Sequence, residues 1–300
     1  MGDPAIGANR PYELGVGRPP ARRTWKDRLR ALLVGASGQR MLASGSDVAR
    51  LPDALVQTRQ RLFGIEATLA LTACGRTPRE RIVFRSQYGE DSLIWDLLGG
   101  QTEGLYVECG AFDGLTYSVT SGFDAMGWDG LLVEAIPERF AECARNRPHA
   151  VVRHAALGGP GRPPTAEFVH VADVEGGMLS HGVLSEGATT PQHERRTAAH
   201  AGRIVTVPAT TMDAILEQHF PGRRLDVAVI DVEGGEIELL RGFTLAKWKP
   251  RVLLIEDNAR LDDTPLSRAM AGEPYIQIGW LNVNRVYVHH DERAILDRVG

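Results

Sequence analysis

The chain is short of cysteine, of long apolar runs and of excess positive charge. Its three cysteines, Cys74, Cys109 and Cys143, are too few and too scattered for a disulfide framework, and no two are spaced like paired zinc ligands. No apolar run approaches the roughly 20 residues that a membrane-spanning helix needs. The N-terminus also lacks the charged start, apolar stretch and cleavage site of a secretory signal. We therefore expect a cytoplasmic protein without a transmembrane segment.

The charge balance argues against a nucleic-acid partner. The 34 Lys and Arg residues face 38 Asp and Glu residues, which gives a net charge of −4 at pH 7. A nucleic-acid-binding protein usually has a basic footprint that this chain lacks overall. With 300 residues, of which 43% are hydrophobic, the chain can bury a substantial core.

The N-terminal part predicts a tail and a helical extension. Residues 1–23 contain many glycines and prolines without hydrophobic periodicity, which predicts a flexible tail. Residues 24–80 predict two helices, the first starting after Thr24 and the second with an apolar pattern from Val48 to Leu71. Residues 1–40 are basic, and two interpretations stay open: contact with an anionic partner or membrane surface, or a solvated helix face packed on the main domain.

Residues 81–300 have the pattern of an α/β domain, in which short β-branched runs alternate with helical patterns and glycine-rich turns. Near-continuous apolar runs are typical of parallel strands buried on both faces. We expect a mostly parallel, doubly wound sheet that ends in a C-terminal hairpin over 275–278 and 284–289. The five predicted parallel strands are 104–109, 130–134, 150–157, 225–231 and 251–256.

A glycine-containing loop leaves the first predicted strand. It has the pattern acidic-x-Gly-x-x-x-Gly over Glu108–Gly114, and glycines at such a point allow a sharp turn and the close approach of a ligand. The loop has neither the Gly-x-Gly-x-x-Gly of dinucleotide sites nor the Gly-Lys-Ser/Thr of a P-loop. Glu134 ends the second strand 24 residues after Gly110, where a carboxylate can accept hydrogen bonds from ribose hydroxyls. Together these features favour an adenosine-containing cofactor over an ordinary tight turn and a solvated strand end.

Six blocks of sequence follow one another in the α/β part of the chain: Ser86–Asp91, Glu108–Gly114, Gly127–Glu134, Val207–Asp213, Ile230–Gly234 and the strand end at Glu256. In this order they resemble the FkbM family of S-adenosylmethionine-dependent methyltransferases. The resemblance covers about residues 82–258 and implies a Rossmann-like class I methyltransferase fold, with S-adenosylmethionine over the ends of the first three strands. This chain has Glu108 and Cys109 where the family often has Asp and an aliphatic residue, and Ala135 where a proline is common.

The resemblance also implies a set of cofactor-binding residues. The loop residues would line the methionine end of the cofactor, Glu134 would hold the ribose, and Ala156 would lie near the adenine. Gln87 and Asp91 would reach the amino-acid part. The full set is Gln87, Asp91, Glu108, Gly110, Ala111, Asp113, Gly114, Glu134, Ala156 and Asp231.

Asp231 and Glu233 are the main candidates for catalysis. They follow the fourth predicted strand on the side of the crevice where the methyl group should point, and a carboxylate there could accept the proton of a hydroxyl acceptor. Two alternatives remain open. With Glu256 or Asn258 the pair could bind a divalent cation, although no ligand spacing requires it and we predict no metal, or the residues could be only a polar strand end.

A long irregular insertion over 171–203 predicts a lid or an acceptor-recognition loop. His181 lies within it and is a third catalytic candidate, because imidazole titrates near neutral pH; a surface histidine is the alternative.

These features predict O-methylation of a hydroxyl on a sugar, glycolipid or secondary metabolite, and the acceptor class comes from the resemblance. The alternatives are a scaffold or binding protein that keeps the fold without turnover, and an NAD-linked oxidoreductase, which the missing dinucleotide glycine pattern disfavours.

Overall fold

The computed structural model describes residues 51–171, 202–259 and 262–299. The helices are α1 (Leu51–Ala73), α2 (Glu90–Leu97), α3 (Ser121–Met126), α4 (Pro137–Asn146), α5 (Met212–His219), α6 (Glu236–Arg241), α7 (Leu245–Trp248), α8 (Pro265–Met270) and α9 (Arg293–Val299). The strands are β1 (Leu105–Cys109), β2 (Asp129–Glu134), β3 (Val151–His154), β4 (Ala156–Leu157), β5 (Thr165–Val171), β6 (Gly202–Thr210), β7 (Val227–Ile230), β8 (Val252–Glu256), β9 (Tyr275–Leu281) and β10 (Asn284–His289).

A seven-stranded sheet forms the centre of the fold, in the order β3-β2-β1-β7-β8-β10-β9. The pairs from β3 to β8 are parallel, and β10 runs antiparallel to both β8 and β9. The strand order reverses between β1 and β7, where a doubly wound sheet opens a crevice at the carboxyl ends of its strands. The predicted Rossmann-like sheet with a C-terminal hairpin is therefore confirmed.

Helices cover both faces of this sheet, which explains why its central strands are apolar. Every residue of β1 and of β8 is buried. Tyr106 and Leu132 face the layer of α1 to α4, whereas Val107 and Leu131 face the layer of α5 to α8. The alternation of side chains along each strand thus supplies two separate cores.

Helix α1 confirms the second predicted helix but buries a different face from the one its large apolar residues indicate. The side chains of Leu62 and Leu69 are exposed, whereas Ala67 and Leu71 are fully buried in the core on the α2 and α3 side. The helix approaches the domain closely through Gly64, where a Cβ would lie 3.0 Å from the carbonyl oxygen of Ile82. Small residues such as Gly64 and Ala67 let the helix pack at this distance, and Leu71 lies with them on the buried face.

The third predicted strand, 150–157, is wrong as a single strand. It divides at Ala155, whose N–H donates to the carbonyl oxygen of Glu134; β3 remains in the main sheet and β4 enters a second sheet with the order β4-β6-β5. The sequence reasoning missed β5 and β6, which pair antiparallel over 165–171 and 202–210.

Several predicted features lie outside the described residues: the tail over 1–23, the helix that follows Thr24, and residues 172–201 of the insertion, including His181. Among the helices that the structure describes, none combines the length and the apolar character required to cross a membrane.

Candidate cofactor and acceptor site

The loop after β1 is fixed by the end of the neighbouring strand β2. The N–H groups of Gly110 and Ala111 donate to the carbonyl oxygen of Val133, at 2.9 and 3.2 Å. The N–H of Phe112 donates to the Glu134 carboxylate at 2.8 Å. The predicted loop and the predicted ribose-binding carboxylate are therefore in direct contact at the carboxyl edge of the sheet.

Close packing also explains why both Gly110 and Gly114 of the loop are glycines. Gly110 has a φ of 78°, and a Cβ on it would lie 1.7 Å from the carbonyl oxygen of Asp231. Gly114 likewise has a φ of 78°, and its Cβ would lie 2.9 Å from the Cys143 sulfur and 2.8 Å from the side chain of Arg147. A side chain at either position would thus meet protein atoms, in a backbone conformation that favours glycine.

The Glu108 carboxylate accepts hydrogen bonds only from the protein segment that follows the loop, as far as the described residues show. Ser118 Oγ donates to it at 2.8 Å and Val119 N at 2.9 Å, and Thr120 Oγ1 also donates. Glu108 is buried. Its contacts hold residues 118–120 against the end of β1 and so define the shape of the loop.

Sequence reasoning missed Arg147, a fully buried arginine beneath the loop. Its Nε donates to Asp124 Oδ2 at 2.8 Å, and its Nη1 donates to the carbonyl oxygen of Gly114 at 2.9 Å. Its Nη2 donates to the Tyr106 hydroxyl at 2.7 Å, and Nη1 lies 3.9 Å from the Glu108 carboxylate. Arg147 therefore supplies the positive charge that these buried carboxylates need.

Glu134, at the end of β2, has the environment expected of a carboxylate that receives a ligand. Its side chain is only 7% exposed, and burial raises its pKa to about 7. Phe112 N and Ile136 N each donate to one of its oxygens at 2.8 Å. A carboxylate has about four lone-pair positions, so capacity remains for two hydroxyl donors.

The upstream block of the predicted site is organised around Asp91. Its buried carboxylate accepts from Ser86 N and Ser92 N, both at 2.7 Å, and from Gln60 Nε2 at 3.2 Å. Burial raises the pKa of this carboxyl group. Gln87 is exposed. Asp91 thus fixes the turn that contains Gln87, and its hydrogen bond from Gln60 connects this turn to α1.

Two other predicted cofactor residues lie in distinct local environments. The Asp113 carboxylate accepts from the N–H groups of Leu115 and Thr116 at 2.8 and 2.7 Å, and so closes its own turn. Ala156 is buried in β4 of the second sheet.

Three carboxylates meet on the other side of the loop, after β7 and β8. One oxygen atom from each of Asp231, Glu233 and Glu256 lies within 4.8 Å of the others. Burial and the neighbouring Glu233 raise the pKa of Asp231, and burial together with Asp231 raises the pKa of Glu256. The two predicted catalytic carboxylates are therefore neighbours, and Glu256 joins them.

A fourth carboxylate shapes the turn that contains Glu233. Glu236 Oε1 accepts from Gly234 N at 2.9 Å and from Val232 N at 3.2 Å, and burial raises its pKa to about 7. Glu233 has a φ of 56°, a conformation that is uncommon for residues other than glycine. By accepting hydrogen bonds from Val232 N and Gly234 N, the Glu236 carboxylate holds the backbone on both sides of Glu233.

Comparison with known proteins adds a family match. The sequence profile described as "Methyltransferase FkbM domain" matches residues 108–290, more than half of the chain. No curated protein matches the sequence.

Solved structures that are similar to this chain include the METTL16 MTase domain, at 14% identity over 65% of this chain and with a TM-score of 0.36. The chain spans 63% of that domain's length. An O-methyltransferase from Bacillus cereus in complex with SAH is 12% identical, covers 75% of this chain and 88% of its own, and has a TM-score of 0.36. A human methyltransferase 10 domain containing protein is 12% identical, covers 80% and 95% respectively, and has a TM-score of 0.37.

Proposed function

Because the chain belongs to the methyltransferase FkbM domain family, we propose that it transfers a methyl group from S-adenosylmethionine to a hydroxyl oxygen of a sugar, a glycolipid or a secondary metabolite. The observation that supports this most directly is the position of Glu134 and Asp231. Glu134 ends β2 and Asp231 follows β7, on either side of the loop that leaves β1, at the point where the sheet order reverses.

The residues around this loop fit the cofactor. Glu134 retains acceptor capacity beyond its two backbone N–H partners, so it can bind both ribose hydroxyls. The loop from Glu108 to Gly114, including Ala111 and Asp113, would surround the methionine part, and Gln87 and Asp91 would approach its amino-acid end. Ala156 would lie near the adenine. When bound, S-adenosylmethionine supplies an electrophilic methyl group on a sulfonium.

The carboxylates after β7 belong to the acceptor side in this proposal. A hydroxyl acceptor gives up its proton when its oxygen forms the new bond to carbon, and a carboxylate within hydrogen-bond reach accepts that proton. Asp231 and Glu233 occupy this side of the loop together. They orient the acceptor oxygen, whereas the buried environment limits the access of water to the methyl group. His181 remains a candidate base from the insertion.

A calorimetric titration of the purified chain with S-adenosylmethionine, S-adenosylhomocysteine and NAD tests the cofactor. We expect binding of the first two ligands and none of NAD. Glu134→Gln should weaken S-adenosylhomocysteine binding at least about tenfold, because a bidentate acceptor site loses one acceptor and its charge. Asp129→Asn is the matched control, since Asp129 begins the same strand at its exposed end.

The acceptor is tested by following transfer of a labelled methyl group to a panel of compounds that begins with sugar hydroxyls. Transfer to nitrogen acceptors alone would refute the O-methyl assignment. Binding of S-adenosylhomocysteine without transfer to any acceptor would favour the scaffold alternative, and binding of NAD in its place would refute the proposed cofactor.

A further inference from the structure

The carboxylates after β7 and β8 form a compact group that the methyl transfer alone does not explain. The parallel register pairs Ile230 with Ile255, which brings the next residues, Asp231 and Glu256, side by side. Glu233 approaches the same point from the turn after β7, with one oxygen of each carboxylate within 4.8 Å of the others. We call Asp231, Glu233 and Glu256 the carboxylate triad.

Glu256 has an oxygen without a partner inside this group. Its side chain is 8% exposed, and its Oε1 accepts from Asn258 Nδ2 at 2.7 Å. Its Oε2 is fully buried and has no hydrogen-bond donor. The Asp231 carboxyl, with which Glu256 can share a proton, is its neighbour. A buried carboxylate oxygen without a donor is costly, so it calls for a positive ligand or a proton.

The charges around the triad differ from those around the other buried carboxylates of the site. Beneath the loop, Glu108 and Asp124 have the buried Arg147 within 3.9 and 2.8 Å. In the part of the chain that the structure describes, neither Asp231 nor Glu256 forms an ion pair with a basic side chain. Within the described residues, the carboxylates beneath the loop are thus paired with arginine, whereas Asp231 and Glu256 are not.

The chemistry of the triad selects the kind of ligand. Its donors are all carboxylate oxygens, and no cysteine or histidine is among them. Hard divalent cations such as Mg²⁺ and Mn²⁺ prefer such oxygen ligands and complete their coordination with water or substrate oxygens, whereas zinc favours nitrogen and sulfur. Asn258 holds Glu256 by its other oxygen, as outer-sphere partners of metal ligands commonly do.

We propose that Asp231, Glu233 and Glu256 bind one hard divalent cation of the Mg²⁺ or Mn²⁺ class. The role of the cation rests on the proposed function: bound next to the acceptor, it would hold the hydroxyl oxygen and lower its pKa. Binding itself needs neither cofactor nor acceptor, since the ligands come from the ends of two paired strands and the turn between β7 and α6.

Titration of the full chain with MnCl₂, followed by calorimetry and by the electron paramagnetic resonance signal of free Mn²⁺, tests the site. We expect one site in wild type, with a Kd below roughly 1 mM. Glu256→Gln should weaken Mn²⁺ binding at least about tenfold. Asp263→Asn removes the same charge from an exposed surface pair with Arg268 and should bind Mn²⁺ like wild type.

Thermal unfolding shows whether Glu256→Gln loses only the cation site or also the folded structure. Without cations, Glu256→Gln should unfold at the same temperature as wild type or higher, because it removes repulsion from Asp231. Mn²⁺ should raise the unfolding temperature of wild type and not that of Glu256→Gln. An equal Mn²⁺ affinity for the two proteins, or no binding by wild type, would overturn the proposal.

Titration of the same preparations with S-adenosylhomocysteine keeps the two proposals separate. S-adenosylhomocysteine binding without Mn²⁺ binding overturns the cation site and supports the proposed cofactor. Mn²⁺ binding that is lost in Glu256→Gln, without S-adenosylhomocysteine binding, supports the cation site and overturns the proposed cofactor.

Discussion

Gly110 and Asp231 are in backbone contact across the carboxyl ends of β1 and β7. A Cβ on Gly110 would lie 1.7 Å from the carbonyl oxygen of Asp231, and the N–H of Asp231 donates to the carbonyl oxygen of Cys109 at 3.1 Å. The candidate cofactor loop and the candidate acceptor residues are therefore held by one junction. Any side chain at Gly110 would separate the two halves of the site.

Gly110→Ala should destabilise the whole domain and not only the binding of a cofactor. The added methyl group must displace the backbone at Asp231, just after β7. The φ of 78° at residue 110 is also strained for alanine. We therefore expect a loss of about 2–5 kcal/mol in the free energy of unfolding. Gly161→Ala is the control, because Gly161 has a φ of 81° and open space around it; strain alone should cost about 1–2 kcal/mol. Urea unfolding measures both, and equal losses would contradict the proposed contact.

Arg147→Met should lower the free energy of unfolding by about 3–5 kcal/mol, because it leaves Glu108 buried without its cation and, among the described residues, leaves Asp124 with only Arg79 as an ion-pair partner. Arg147→Lys should not restore stability, since one ammonium group cannot reproduce contacts made by three guanidinium nitrogens. Arg268→Met, at an exposed pair with Asp263, should cost less than about 1 kcal/mol. Denaturant unfolding of the three variants tests this. A small loss in Arg147→Met would mean that the network contributes little to stability.

The importance of Arg147 could not be predicted from the sequence, and the reason is physical. It lies in the segment Ala144–Pro148, with a second arginine two residues earlier, which is the pattern of a solvated helix end. Its burial depends on Tyr106, Asp124 and Gly114, which are 23 to 41 residues away along the chain. Contacts over such separations leave no local pattern.

The strands of the main sheet were predictable because burial on both faces requires continuous apolar runs, as in β1 and β8. The second sheet was not, because β5 and β6 have neither a continuous apolar run nor a regular alternation of polar and apolar residues, and β6 contains Pro208. In the candidate site, the position of Glu134 beside the loop followed from strand ends alone. The pairing of Asp231 with Glu256 required the register between β7 and β8, which the sequence does not state.

Cofactor binding should depend on pH through Glu134. Burial raises the pKa of this carboxyl group from 4.5 to about 7, and the ionised form is the better acceptor for ribose hydroxyls. The affinity for S-adenosylhomocysteine should therefore rise as the pH increases through about 7 and level off above it. Calorimetric titrations between about pH 6 and pH 8 measure this rise. Glu134→Gln should flatten it, and an unchanged pH dependence in that variant would assign the titration to another group.

The same shift has the opposite effect on stability. Because the folded state holds the Glu134 proton more tightly than the unfolded state, the contribution of this group to the free energy of unfolding is full below about pH 4.5 and is lost as the pH rises through about 7. Wild type should therefore lose stability relative to Glu134→Gln across this interval. Urea unfolding at several pH values tests the sign, and a relative gain by wild type would contradict the raised pKa.

Substitutions in α1 should show which face of the helix is packed. Leu62 and Leu71 both belong to the apolar pattern of the sequence, yet Leu62 is 59% exposed and Leu71 is 0% exposed. Leu71→Ala should cost about 2–5 kcal/mol through lost burial and a cavity, whereas Leu62→Ala should change the free energy of unfolding by less than about 0.5 kcal/mol. Denaturant unfolding of the two matched Leu→Ala variants makes the comparison. A large cost at Leu62 would mean that the face of α1 that carries Leu62 and Leu69 is also covered in the folded protein.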